Sequence, residues 1–385
     1  MRPLLQAEQA VLGAVLLDPA QLDHLGWLEP THFYRPAHQA LFAALRRLRS
    51  AGQPASAADG TVPLTWLTDA VAEASKHVRG VTAVYAHTLV SACPRPAHAA
   101  VYGRMVLEGA IHRTVTEHAV RLHQLARADQ VCGGTAATLH QVDTLAAVLV
   151  DLTRRWGTEP RPAAPTVLSP AGTAPQAGAA PVADDERLLL AALVSTSSGM
   201  DEVDGWLRPQ DFAVPAHAQL YRCLSALHHR GEPVDRLTLL WEAQRRGLLA
   251  DGTVTGEEIA AIGDGVGPGG AQWLGEQVTR GALLRTAAAS ARAIRDLAAT
   301  DALPPGQLIN QALGALGAVD DVRQRWITGT RAEPPPPACG EPTAGPPDEQ
   351  IRAARARSTP PSSSSPPAAA ASGAALVRPP ARSHP

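Results

Sequence analysis

Lysine is almost absent from this chain. Lys76 is the only one among 385 residues, and every other basic side chain is arginine. A Walker A phosphate loop needs a Gly-Lys-Ser/Thr step, and Lys76 sits in Ser75-Lys76-His77 with no glycine before it, which argues against a self-contained P-loop nucleotidase. The four cysteines (Cys93, Cys132, Cys223, Cys339) form no C-x-x-C pair, so neither a zinc ribbon nor a disulfide framework is expected. Aromatics make up only 4% of the residues. No apolar run approaches the roughly 20 residues of a membrane span, and the N-terminal apolar stretch, interrupted by Gln6, Glu8 and Gln9, lacks a signal-peptide cleavage pattern. A cytoplasmic chain with no cofactor is the expectation. Net charge is small too: 34 basic against 36 acidic residues give −2, which is no coat for a polyanion or a membrane.

What is present is 45% hydrophobic residues, enough for real cores, beside 34 prolines and 32 glycines that gather in two places. Residues 158–183 are Pro/Ala/Gly-rich, and residues 328–385 hold Pro334 to Pro337, Ser362 to Ser365 and an alanine run. Such compositions cannot bury enough apolar surface to fold alone, so both are expected to be disordered. Segments 1–157 and 184–327 are left as the folded parts.

Those two segments are copies of one another. Trp27, Leu28, Pro30, Phe33, Pro36, Ala37, His38, Leu41, Leu45, Leu48, Gly52 and Pro54 recur 179 positions later as Trp206, Leu207, Pro209, Phe212, Pro215, Ala216, His217, Leu220, Leu224, Leu227, Gly231 and Pro233. After short gaps the offset becomes 172, where Gly103, Gly109 and Arg113 meet Gly275, Gly281 and Arg285. It then becomes 170, where Asp151, Arg155 and Trp156 meet Asp321, Arg325 and Trp326. This is a tandem duplication.

Each copy reads as helical. Leu41, Leu45 and Leu48, and again Leu220, Leu224 and Leu227, fall at i, i+4, i+7, behind a proline suited to a first turn and ahead of a terminating glycine. The patterns predict helices near 5–18, 36–51, 64–76, 80–91, 97–128 and 135–156, then 184–197, 215–230, 236–248, 256–262, 270–300 and 304–326. The last two in each copy are long and closely joined, so each copy is expected to be a small bundle followed by an antiparallel helical hairpin. The class is all-α.

The string Glu8-Gln9-Ala10-Val11-Leu12-Gly13-Ala14-Val15-Leu16-Leu17-Asp18 resembles the first helix of the N-terminal domain of DnaB-type replicative helicases. The run from Phe33 through His38 to Gly52-Gln53-Pro54 resembles that domain's second signature. Gly231-Glu232-Pro233-Val234-Asp235-Arg236-Leu237-Thr238-Leu239 resembles its Gly-x-Pro-(Ile/Val)-Asp-x-x-Thr-Leu segment. The resemblance runs over both folded segments, hairpins included. Where that family carries a RecA-like ATPase motor, this chain carries a second N-terminal-like copy. The first copy lacks the Pro-(Ile/Val)-Asp-x-x-Thr-Leu run, and the second lacks Gly13's equivalent. What the resemblance implies is the domain's usual work: self-association into a collar and contact with a primase or loading protein. Helicase activity is not implied.

Individual residues add little chemistry. Trp27, Phe33, Trp206 and Phe212, with the two leucine stripes, are expected to anchor the cores. His38 and His217 read as structural histidines at a helix start. His112, His118 and His123 do not give the i, i+4 spacing of a helical zinc pair, so no metal site is expected. Gly265-Val266-Gly267-Pro268-Gly269-Gly270 matches G-x-G-x-x-G in letters only; with no strand before it, it is a loop. Arg46, Arg47, Arg49, Arg154, Arg155, Arg245 and Arg246 cluster at helix ends, where the helix dipole favours cations, and they are the candidates for partner or phosphate contact. The first copy carries 14 basic and 12 acidic residues (+2), the second 13 and 19 (−6). The favoured expectation is therefore a non-catalytic adaptor that binds a replicative helicase, a primase or a loader, with the two copies pairing within or between chains. The alternative is a DNA-binding regulator using the arginine-tipped helices of the first copy and the basic tail, with weak, salt-sensitive nucleic-acid contact. An enzyme of unrecognised type and a functionless remnant are further readings.

Overall fold

In the computed structural model, which describes residues 3–53, 64–157, 179–196, 198–262 and 270–331, every regular element is a helix. The first copy contains α1 (Pro3–Leu17), α2 (Pro36–Ser50), α3 (Leu64–Ser75), α4 (Ala83–Ala92), α5 (Ala99–Cys132) and α6 (Ala136–Trp156). The second contains α7 (Ala179–Ser195), α8 (Gly199–Val203), α9 (Pro215–His229), α10 (Arg236–Arg245), α11 (Gly256–Ile262), α12 (Ala271–Ala298) and α13 (Pro305–Arg331). Short 3-10 segments at Pro19–Leu25, Pro30–His32, Pro96–His98 and Pro209–Asp211 each open on a proline. They are too short to carry a hydrophobic stripe.

Local chemistry sets the helix ends. Pro36 and Pro215 occupy the first turn of α2 and α9, where the missing N–H has no intrahelical partner to lose. Thr82 accepts from the Tyr85 N–H and starts α4 three residues later than the hydropathy pattern suggests. Asp235 and Thr238 bond each other's backbone N–H in a reciprocal cap at the head of α10. That cap is the physical content of the Pro-Val-Asp-x-x-Thr run. Gly133 (φ 76°) and Gly157 (φ 77°) end α5 and α6 in the left-handed conformation. At the tip of the first hairpin, Asp129 accepts from both the backbone N–H and the hydroxyl of Thr138.

The second copy overruns its expected limits. Helix α7 begins at Ala179, inside the stretch read as linker, and α13 continues to Arg331, inside the stretch read as tail. The remainder of the linker and tail, and the glycine-rich loop at 265–269, lie outside the described residues.

Residues 1–332 cluster as one compact unit. One continuous apolar core runs from Val11, Leu12, Phe33, Leu41 and Leu45 of the first copy, through Ile111, Leu122 and Leu145 of its hairpin, into Leu283, Ile294, Leu308 and Val319 of the second hairpin. A second core, with Leu189, Trp206, Phe212, Leu220, Leu224 and Leu239, fills the head of the second copy. Each fully buried aliphatic or Phe side chain contributes about 1.5–3 kcal/mol.

Two anchors differ from expectation. Trp27 is 43% exposed, whereas Trp206 is 4% exposed. The cause is helix length: Trp206 lies against Gly275 and Gly329, where an added Cβ would fall 2.7 and 2.8 Å from the indole. Helix α6 stops at Trp156, so nothing among the described residues covers Trp27 as Gly329 covers Trp206. Leu48 is only partly buried, at the edge of its core.

Candidate functional site

The hairpins are where the copies meet. Three cross-copy hydrogen bonds set the register of α5 on α12: the Arg280 guanidinium donates to the Gly133 carbonyl (2.7 Å), His123 Nδ1 lies 3.3 Å from the Ala288 carbonyl, and His112 Nδ1 lies 2.9 Å from the Ala298 carbonyl. As one number falls the other rises, so the two helices run antiparallel. His112 Nε2 also lies 3.1 Å from the Leu303 carbonyl, so this ring sits between two backbone carbonyls at the tip of the opposite hairpin. Arg323 of α13 grips Asp143 of α6 with two nitrogens, the closer contact being 2.5 Å. Two of the histidines weighed as metal ligands are thus spent on the seam. At one end of the seam is a small cleft of about 60 Å³, lined by Asp129, Gly133, Val182, Asp185, Arg280 and Leu284.

Each head is locked by one buried carboxylate. Glu8 and His38 are both fully buried, with Glu8 Oε2 2.6 Å from His38 Nδ1 and the Tyr85 hydroxyl 2.6 Å from His38 Nε2. The same carboxylate takes the Tyr34 backbone N–H. In the second copy Glu186 repeats this with His217 (2.9 Å) and with the N–H groups of Ala213 and Val214, but no tyrosine completes the ring. Sequence reading took the histidines as structural but missed the glutamates. The signal is plain in the first copy, where Glu8 is the lone acidic residue of a largely apolar first helix, and weaker in the second, where Glu186 is the last of three consecutive acidic residues after Asp184 and Asp185.

A second polar joint ties each head to its hairpin. In the first copy, Arg155 pairs with Glu29 (3.0 Å) and Asp151 (2.7 Å), Arg113 donates to the His32 carbonyl, and the Glu29 N–H donates to His32 Nδ1. Burial, reinforced by Arg155 and Arg113, pushes the His32 pKa below the usual histidine value against the pull of Glu29. In the second copy Asp211 stands in place of His32 and binds Arg325 and the Arg208 N–H, while Arg285 donates to its carbonyl. Burial lifts the Asp211 carboxyl above the usual range against the opposing pull of Arg325.

Five of the seven candidate arginines are engaged within the protein, Arg155 as described above. Arg46 donates to the Leu28 carbonyl, Arg47 pairs with Glu73, Arg49 with Asp23, and Arg246 with Glu242. Arg154 is exposed on the last turn of α6. Arg245 lies 4.0 Å from Glu242, beyond hydrogen-bond distance. The sole lysine, Lys76, pairs with Glu73 at 2.6 Å. Among the described residues, no three His, Cys, Asp or Glu side chains converge as metal ligands, and no helix is long and apolar enough to cross a membrane.

Residues 2–108 and 181–264 match the model of the DnaB-like helicase N-terminal domain. The chain belongs to that family. It carries the domain twice in tandem, and what matches is the N-terminal domain, not the ATPase domain. The family match ends at 108 and 264, before most of each hairpin. Replicative DNA helicase DnaB of Geobacillus stearothermophilus is 37% identical over 121 residues, covering 31% of this chain and 25% of that protein. The Mycobacterium leprae (strain TN) helicase of the same name is 38% identical over 127 residues, covering 31% of this chain and 19% of that protein. The chain therefore spans about a quarter or less of the length of these relatives. The crystal structure of the N-terminal domain of DnaB helicase from Mycobacterium tuberculosis aligns at 35% identity over 37% of this chain and 94% of that one, with a TM-score of 0.30.

Proposed function

We propose that this chain is a non-catalytic protein-interaction adaptor of DNA-replication type, acting on a replicative helicase, on a primase or on a loader protein. The observation that carries this reading is the seam. Two helicase-type N-terminal copies meet hairpin to hairpin inside one chain, so the face used for pairing is already occupied and the heads remain for partners. No ATPase activity is expected, because the family match is to the N-terminal domain alone and Lys76 is held by Glu73.

The test is a pull-down from lysate of the source cells at about 150 and 500 mM salt, with mass spectrometry of the eluate. Apolar packing tolerates salt and phosphate contact does not. Helicase, primase or loader retained at both salts supports the adaptor. Nucleic acid lost at the higher salt, with no replication protein present, refutes it.

A further inference from the structure

We infer that the outer face of α10 is a docking site for a helical segment of another protein, one that carries large apolar side chains and a carboxylate about a turn beyond them. This inference rests on the adaptor reading and names the chemistry of one partner surface. Leu237, Trp241 and Arg245 fall at i, i+4, i+8, on one face of α10. Leu237 is 74% exposed and Trp241 61% exposed. The stripe covers about 12 Å along the helix, the length of two turns.

The first copy shows that the scaffold does not require this. Leu64-Thr65-Trp66-Leu67-Thr68-Asp69-Ala70 of α3 corresponds to Leu237-Thr238-Leu239-Leu240-Trp241-Glu242-Ala243 of α10. The inward positions agree: Trp66 and Leu239 are buried, as are Ala70 and Ala243. The outward position is Thr68 in one copy and Trp241 in the other. A large exposed ring has therefore been placed where the fold asks only for a small polar residue. Tryptophan and arginine are the side chains that most often dominate binding at protein interfaces.

Charge selects the occupant. The two carboxylate oxygens of Glu242 are taken by Arg246 (2.7 Å) and Arg230 (2.8 Å), and Arg230 also holds Glu232. Arg245 is the most distant of the three cations, 4.0 Å from Glu242, with its side chain 61% exposed at the end of the apolar stripe. Three guanidiniums face two carboxylates here, a local excess of one positive charge in a copy that is otherwise acidic. A partner carboxylate beside Arg245 meets that excess, and a basic segment is repelled.

The test uses the full chain labelled with 5-fluorotryptophan, with Trp241→Phe assigning its ¹⁹F signal. Two synthetic amphipathic helical peptides share one leucine-rich face and differ in having an acidic or a basic polar face. The acidic peptide is expected to shift the Trp241 signal and to bind at least about ten-fold more tightly than the basic one, with Arg245→Glu reversing the order. Equal binding, or an unmoved Trp241 signal, overturns the proposal. So does a signal that shifts with protein concentration alone, because the occupant is then a second copy of this chain. Both substituted side chains are exposed, and circular dichroism checks that the fold survives. Repeating the pull-down with Trp241→Ala separates the two readings. If replication proteins are still retained, the stripe fails and the adaptor stands; if the unaltered chain retains none, the adaptor fails and the peptide titration judges the stripe.

Discussion

The two copies share one plan and close it differently. In the first, Gly13 lets α1 and α4 touch backbone to backbone: a Cβ at Gly13 would sit 2.2 Å from the Leu89 carbonyl oxygen. The second copy has Ala191 at that point of α7, and the ten-residue α4 is replaced there by the seven-residue α11. The first copy completes its buried Glu8–His38 pair with Tyr85, whereas His217 keeps a side chain 16% exposed and has no tyrosine. In compensation, the second copy's last helix is longer and buries Trp206. The same arginine, Arg155 or Arg325, holds head to hairpin in each. Its carboxylate has moved from Glu29 in one copy to Asp211 in the other. Duplication kept the joints and let the closures drift, and so the two heads present different outer surfaces.

Substitutions at matched positions sharpen this contrast. Trp206→Ala is expected to cost about 3–5 kcal/mol in denaturant unfolding, the usual loss for a buried large aromatic. Trp27→Ala is expected to cost less than about half of that, because its ring is half in water already. Equal losses would break the comparison. Gly13→Ala comes next, at about 1–3 kcal/mol from overpacking against Leu89, read from the same unfolding curves. Ala191→Gly should cost about 1–2 kcal/mol, from helix propensity and the loss of one buried methyl, with no overpacking to relieve.

The third contrast is in pH. His32 has its pKa depressed in the folded protein, so below its ordinary value of 6.5 the unfolded chain binds the proton more readily. Its contribution is therefore complete above that pH and shrinks as pH falls below it. His32→Asn should flatten this part of the stability–pH profile in the first copy, where Asp211 occupies the same place in the second. A profile that keeps its slope in the variant would remove His32 from the account. The smallest effect belongs to the exposed pair Arg49–Asp23 (2.8 Å): Arg49→Ala should change stability by about 0–1 kcal/mol.

Much of the architecture was legible in the residues. The leucine stripes, the prolines at helix starts and the glycines at helix ends place the long helices within a few residues, and the repeat itself announces two heads and two hairpins. The site was less legible. Helical period says which face of α5 is apolar but not that α12 is what covers it. That pairing joins residues far apart in the chain, such as His112 and Ala298. The exposure of Trp27 was unreadable for a similar reason, because it depends on where a helix far along the chain stops. Glu8, a single carboxylate in a largely apolar helix, and Glu186, the last of the run Asp184-Asp185-Glu186, both read as surface until a histidine some 30 residues away is found beside each. Trp241 was passed over because the first copy's matching stretch lacks the motif that would have aligned the two.

The central claim is that the two copies pair through their hairpins inside one chain. Its most direct test places cysteines at Asp143 and Arg323, in a background where the native cysteines are replaced, and treats dilute protein with a short bismaleimide. The account predicts rapid cross-linking within a single chain, with the product still at the monomer mass near 40.2 kDa. Cross-linked dimers, or no cross-link at all, would contradict it.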